Sequence, residues 1–503
     1  MRKSLLVTCL GFLLFMIQDQ AMAQLYGTNT FEFQYGNLPY EENRDLTTSY
    51  DQLDLYFDQG NLSLYGRTEY FLTPFRERNY FSLTQKRLQY EDEQFNIRIG
   101  NFYETIGRGL LLRSYEIPGS VFEDSFYRTR YAFNRDIEGL SFGFSNDFVE
   151  ATVIRGRPLF NPLPPNIEPD SLRRPELIEA VESHFFLSDD ISIGGAFMRL
   201  HEDGQTDYSE YGSLMLNSEL PLNLQLTSEY AFATDTDLFA FNQKGSYGFY
   251  AGLNYFYDTF GASLEYKNYN RFTLGSGFNN PPSLIKEHTY PVLNRSTHVL
   301  STADESGIQL EVFYTFAGGH TITANYTTAK NEVVNRFDYK EYFIEGNYNV
   351  NDLLTLKSFL DYANDELKGE QDRVSAGFIL DKIFDYTWSL TLDLQFQRFD
   401  RPFNPNTSEN YYASLAVNYI PDLTVSAVFE ASTDPNLTDD PRTLPTETAI
   451  RTWMGGNVRY KINSVHTLDI FAGKRRGGPA CTSGICYEIL DFEGVEVRFS
   501  TRF

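Results

Sequence analysis

The chain has 503 residues, an aromatic content of 16% with 43 Phe and 35 Tyr against 2 Trp, and a mean hydropathy of −0.38. Its formal net charge of −26 excludes nucleic acid as a partner, because phosphate binding requires a basic surface. A chain of this length would ordinarily divide into several domains, yet its predicted elements are nearly all of one kind.

At the N-terminus, Arg2 and Lys3 precede the apolar run "LLVTCLGFLLFMI", and the small residues Ala21 to Ala23 precede Gln24. This predicts a secretory signal peptide over residues 1–23. A lipoprotein cleavage at Cys9 is the competing reading, and it leaves too short an apolar run before the cysteine. After residue 24 no apolar stretch approaches the ~20 residues of a membrane helix, whereas strands closed into a barrel can still cross a bilayer. The first strand-like run, "YGTNTFEFQYG", begins almost at the mature N-terminus and leaves no room for the large plug domain of an energised transporter.

Alternation then dominates. In "QLDLYFD", Leu53, Leu55 and Phe57 oppose Gln52, Asp54 and Tyr56. In the next distinctive stretch, "NIRIGNFYETIGRGLLLRSYEIPGSVFEDSFYRTRYAFNRD", Phe95, Ile97 and Ile99 share one face and Asn96, Arg98 and Gly100 the other. The following convincing strand begins only at Gly139. "LLLR" is too apolar for a free surface loop, so residues 101–136 are expected to fold back into a barrel and narrow or plug it. Residues 61–160 hold 13 Lys+Arg and 13 Asp+Glu, a neutral stretch in an acidic chain. Arg67 and Arg98 fall on inward faces, and Arg108 and Arg113 sit in the inward loop. These arginines, with Glu69, are the pore-lining candidates. They would form an anion-selective constriction, or they would pair with Glu69, Glu104 and Glu116 and pin the loop to the wall. Pairing weighs more, because lumen arginines among equal numbers of acids find partners. "GRG" has no strand–helix context for a phosphate loop.

Further along, Trp388, Leu390, Leu392, Leu394 and Phe396 alternate with polar residues in "YTWSLTLDLQFQ". "YYASLAVNY" and "DLTVSAVFEA" alternate in the same way. The connections decide what these strands build. Short links ("FDQGN", "LSDDI", "YDTFG", "NVNDL", "YIPDL") alternate with long polar ones, including the run from about residue 269 to 306. Tight turns at one end and long loops at the other predict an all-β, antiparallel up-and-down transmembrane barrel of about 24 strands, spanning residues 24–503.

The remaining chemistry is sparse. Asp434, Asp439 and Asp440 have the ligand chemistry for Ca²⁺, but loops of this composition are generally solvated, so neither metal nor cofactor is assigned. There are six His, and none sits in a catalytic spacing with a nucleophile; no enzyme activity is expected. Cys481 and Cys486, five residues apart in "GGPACTSGICYE", read as a disulfide that stiffens an exposed loop tip. At the C-terminus, Val495, Val497, Phe499, Thr501 and Phe503 share one face, and Glu496, Arg498, Ser500 and Arg502 the other. The first face would meet lipid and the second a wet lumen. Val497, Phe499 and Phe503 resemble the C-terminal signature by which the barrel-assembly machinery recognises its substrates.

The segments "IRIGNFYETIGRGLLLRSYE" and "GGPACTSGICYEILDFEGVEVRFSTRF" resemble an uncharacterised family of outer-membrane barrels from Bacteroidota-type bacteria, and "GNFYETIGRG" is distantly similar to phosphate-selective porins. The resemblance implies the fold and an outer-membrane location. The expected function is porin-like diffusion of small polar solutes, with both termini periplasmic and the long loops outside. The alternative is a non-conducting barrel that recruits surface or periplasmic proteins.

Overall fold

The computed structural model describes residues 24–37, 46–124, 128–159, 176–202, 207–235, 245–275, 277–301, 304–331, 336–402, 404, 406–437, 450–482 and 485–503. Twenty-four strands form one closed antiparallel sheet in which each strand pairs with the next along the chain. The strand Gln24–Asn37 closes the ring, pairing with Leu46–Gln59 on one edge and with Phe492–Arg502 on the other. Beyond the last rung, Gly27 and Phe503 exchange backbone hydrogen bonds of 2.8 and 3.0 Å. The expected all-β barrel of 24 strands is the observed architecture.

Alternation makes these strands, and burial shows which way each face looks. Leu360 is 60% exposed while its neighbour Asp361 is 3% exposed. On Trp388–Asp400, Trp388 and Leu394 are exposed, whereas Gln395 and Gln397 are buried. Apolar outside and polar inside inverts the rule for soluble proteins and fits a barrel whose outer wall meets lipid. Among the described residues, no helix is long and apolar enough to cross a membrane.

At one end of the wall, consecutive strands are joined by tight turns of two residues, as at Gln59–Leu62, Ser188–Ile191, Tyr257–Phe260 and Asn351–Leu354. At the other end, the described residues of three long links, 103–136, 271–303 and 476–491, pack against the wall strands. Each is inserted between residues that face each other directly across a hairpin, Phe102 and Ile137, Asn270 and Asp304, Arg475 and Phe492. Burial follows the same polarity. On Phe337–Asn351 the residues Phe337, Tyr339, Glu341 and Phe343 are buried, and nothing beyond Phe343 is. On the next strand, Leu354–Asp365, the buried set is Phe359, Asp361, Ala363 and Asp365. A barrel of this size leaves a wide lumen unless something fills it. On these two strands the inward-facing residues toward the long links are buried, and those toward the short turns are polar and partly accessible.

Two expectations are corrected. The run from 269 to 306, read as an external polar link, packs against the wall with Phe272, Leu274, Tyr290, Val292, Leu293 and His298 buried. Its apolar residues are irregularly spaced among prolines and polar groups, so a reading by period overlooks them. The Cys481–Cys486 disulfide is formed, but its hairpin, Gly478–Thr482 with Ile485–Ile489, is no free tip. Cys481 is buried, and its backbone is bound to Asn294. Residues 1–23, Asp439 and Asp440 lie outside the described residues.

Candidate functional site

The segment 103–136 is held by apolar packing on one side of the interior and by ion pairs on the other. Ile106, Leu110, Leu111 and Leu112 pack against Phe102, Ile137, Ile154, Ile178, Met198, Leu200 and Ala231 of the wall. Each buried leucine contributes about 1.5–3 kcal/mol. The turn before them is bound through its backbone, with Gly107 N donating to Glu182 Oε2 (3.0 Å) and Arg108 N to Glu229 Oε2 (2.5 Å). Gly107 has φ +62° and Gly109 φ +85°, and a Cβ would lie 2.3 Å from the Glu229 carboxylate at the first and 2.6 Å from Asn280 O at the second. Only glycine fits such positions.

The same segment then forms a hairpin, Tyr115–Glu123 with Arg130–Arg135, which lies against the strands on the other side of Phe95–Phe102 in the ring, Tyr80–Glu91, Leu62–Leu72, Gln24–Asn37 and Phe492–Arg502. Arg130 pairs with Glu32 at 2.5 Å and Glu496 at 3.3 Å. Ala132 N donates to Glu69 (2.9 Å), and Tyr80 OH donates to Arg130 O (2.5 Å). Burial disfavours charge on Arg130, but Glu32, Glu123 and Glu496 outweigh it and hold its pKa above the usual arginine value.

The structure places the sequence candidates as follows. Arg67 is buried between Asp54 and Glu116, both at 2.6 Å. Glu69 accepts from Tyr50 OH (2.9 Å) and from the hairpin backbone. Arg98 pairs with Glu104 and donates to Tyr103 O and Ser141 Oγ, both at 3.0 Å. Burial raises the Glu104 pKa despite Arg98 and Ser141. Arg108 leaves its side chain exposed and reaches Thr227 Oγ1 at 3.2 Å. Arg113 donates its backbone N–H to Phe278 O at 3.2 Å. Arg67, Arg98 and Arg108 meet different strands of the wall, through Asp54, Ser141 and Thr227.

Sequence reasoning missed the second segment, 271–303, and its anchors. His288 Nε2 lies 3.2 Å from Glu341 Oε1. Arg373 donates to Glu341 (2.9 Å), Glu370 (3.0 Å), Asp361 (3.2 Å) and the backbone carbonyl of Ser296 (3.0 Å). Arg295 grips Glu430 with two bonds of 2.6 and 2.9 Å. His298 Nδ1 is 2.9 Å from Asp365 and its Nε2 3.7 Å from Glu305, which in turn pairs with the fully buried Lys267. A signal was present: Phe337, Tyr339, Glu341 and Phe343 share one face, and large aromatics beside a carboxylate on an inward face mark a lumen that is not all water.

The third segment ties the other two together. Asn294, in the helical turn Pro291–Asn294, exchanges two hydrogen bonds with the backbone of Cys481, both 3.1 Å. Tyr487 packs its ring 5.1 Å from that of Phe133. Arg128 donates to Asp491 O at 3.0 Å, while Asp491 Oδ1 accepts from Trp453 Nε1 (3.1 Å) and Gly477 N (2.8 Å). Arg476 lies over the Trp453 ring and 3.9 Å from Glu430. Burial, with Arg295 nearby, pushes its pKa down to about 10. The first two segments also touch directly, Asn280 N to Gly109 O at 3.1 Å and Arg135 to Gly277 O at 3.0 Å. Such a network can hold a shaped obstruction rigidly across a barrel. Among the described residues no group of three or more His, Cys, Asp or Glu is placed to hold a metal ion.

Comparison with known proteins agrees on the fold. Residues 188–354, about a third of the chain, match a family of unknown function, DUF6029. No curated protein matches. Among solved structures, the chain is similar to the translocation pore of the P pilus usher PapC, with 9% identity, 95% of this chain and 99% of that one covered, and a TM-score of 0.50. It is also similar to a chain of the E. coli P pilus tip assembly intermediate PapC-PapD-PapK-PapG, with 10% identity, 96% of this chain and 62% of that one covered, and a TM-score of 0.53. Pseudomonas aeruginosa OccK5 (OpdH) aligns at 12% identity over 68% of this chain and 93% of its own, with a TM-score of 0.39. At these identities the likeness is one of fold.

Proposed function

We propose that the protein is an outer-membrane, porin-like channel for small polar solutes, with its pore narrowed by the segment 101–136 and by two further segments folded against the inner wall. The observation that carries this reading is the polarity of the interior. Buried ion pairs and aromatic contacts fill the half toward the long links, while the half toward the short turns keeps a polar, accessible face. A solute path would be set by what the inner segments leave open. In this reading the termini and short turns are periplasmic, the long links are extracellular, residues 1–23 are a cleaved signal peptide, and Val497, Phe499 and Phe503 serve barrel assembly. Arg108, whose side chain stays exposed beside Thr227, is the pore-lining arginine; Arg67 and Arg98 act as wall anchors. No catalytic role is assigned.

The test is swelling of liposomes that contain the purified protein in sugars of increasing size. Uptake of the smallest sugars, with a size limit that rises when residues 104–135 are deleted, supports a narrowed pore. The deletion is geometrically mild, because Phe102 and Ile137 already face each other as a rung. No swelling with either protein contradicts the channel. A second reading, a sealed barrel that serves as an assembly partner, is favoured by the mutual locking of the three segments; it predicts no uptake until the deletion is made.

A further inference from the structure

Among the described residues, one stretch of the wall lacks a neighbour. The strand Tyr80–Glu91 pairs along most of its length with Leu62–Leu72. On its other edge only Arg87 to Glu91 find partners, on the strand Phe95–Phe102. Asn101 Oδ1 accepts the Lys86 N–H at 2.9 Å and ends that ladder, and the chain then turns into the interior after Phe102. Residues 80–85, about 20 Å of extended chain, therefore project past their neighbour with one backbone edge unpaired.

Natural sheets blunt free edges with proline, lysine, inward charges or bulges; "YFSLTQ" contains no proline and no charge, and its irregularity is a register shift at Thr84, opposite Arg67 and Thr68. The face that points away from the lumen is apolar. Phe81 is 73% exposed and Leu83 56%, and Tyr70, Leu72 and Phe75 are exposed nearby, with the Tyr70 and Phe81 rings 6.4 Å apart. The opposite face is fixed, since Tyr80 and Gln85 are buried and hydrogen-bonded to Arg130 O and Tyr103 OH.

We infer that residues 80–85 form a docking edge for an extended polypeptide segment of a partner protein, which adds a strand to the wall and lays apolar side chains at alternate positions beside Phe81 and Leu83. Lipid tails are a poor occupant, because they offer neither donor nor acceptor to the backbone edge. A second copy in the same membrane is excluded by geometry. The two-fold axis relating such copies runs along the membrane normal, so strands tilted by about 35–45° would meet running the same way and crossed by twice that angle, which no ladder accepts. A flexible extended segment has neither restriction, and strand addition to a free edge is a recurrent mode of peptide recognition.

The test is hydrogen–deuterium exchange on the full-length protein in detergent and in lipid nanodiscs. The probes are a synthetic peptide of alternating valine and threonine and the same peptide with a central proline. The proposal expects rapid exchange, in both settings, at those amides of residues 80–85 that point to the open edge, slowed about tenfold or more by the alternating peptide and unaffected by the proline version. In Leu83→Lys the protection should disappear while exchange of residues 87–91 is unchanged. Slow exchange without any peptide would mean that the chain itself covers the edge. Slowing on transfer to nanodiscs alone would mean that lipid covers it. Either result, or rapid exchange that the peptide leaves unchanged, overturns the proposal.

Discussion

Asn294 and Cys481 bind each other reciprocally, the amide Nδ2 donating to the Cys481 carbonyl and the Cys481 N–H donating to the Asn294 Oδ1, each at 3.1 Å. This is the joint between the segment 271–303 and the disulfide hairpin. Two partly buried hydrogen bonds are lost in Asn294→Ala, which leaves the Cys481 N–H and carbonyl without this partner. The expected cost is about 1–3 kcal/mol for each group left unsatisfied, confined to the interior segments. Limited proteolysis should cut the variant near residues 288–301 sooner than wild type, while the wall strands stay protected.

Arg373 is the charge on which the second segment depends. It is almost fully buried and meets Glu341, Asp361 and Glu370 together. Removing one partner from a buried ionic cluster costs about 3–5 kcal/mol, because the remaining charges stay desolvated. Arg373→Ala should lower the urea midpoint of the purified protein strongly. Arg459→Ala, which removes an exposed guanidinium paired with Asp469, should change it little.

His298 makes the same segment sensitive to pH. Burial lowers its pKa, but Asp365 and Glu305 on the facing strands outweigh burial and raise it overall; the Tyr339 ring stacks on it at 4.4 Å. A raised folded value means the stabilisation is complete below the unfolded histidine pKa of about 6.5 and is lost as pH rises through the folded value. Protection of the amides over residues 288–301, taken relative to their intrinsic base-catalysed exchange rate, should therefore fall from neutral to mildly alkaline pH. In His298→Gln that pH dependence should be absent.

Gly107 and Gly109 set the path of the first segment. A methyl group at Gly107 would meet the Glu229 carboxylate, and one at Gly109 the Asn280 carbonyl, both in left-handed backbone. Alanine at either position carries a strain of about 1–3 kcal/mol and should displace Leu110 to Leu112 from the wall. Faster exchange at residues 106–112, with the barrel intact, is the expected reading. Gly346→Ala, at a strand position with open space and ordinary backbone, is the control.

Much of the wall was legible because a barrel writes itself with a period of two: "SLTLDLQFQ" states which residues meet lipid and which face in. The segment 101–136 stood out through "LLL", three apolar residues where a solvated loop would have none. Segment 271–303 was not legible. Its anchors are single charged residues on four strands distant in sequence, Glu341, Asp365, Arg373 and Glu430, and no local pattern links them to His288, Arg295 or His298. The cysteine pair announced a bond without saying what the hairpin leans on. Parity puts Arg67 and Arg98 on one face of their strands, but their pairing with Glu116 and Glu104 depends on where the segment 103–136 lies, which parity does not encode.

The central claim, that the inner segments set the pore, is tested most directly by single-channel conductance in a planar bilayer, comparing the full-length protein with a variant lacking residues 104–135. The account predicts small, steady steps for the full chain and distinctly larger ones for the deletion, with Arg108→Glu shifting the reversal potential toward cations. Equal conductance in the two proteins, or none in either, would contradict it.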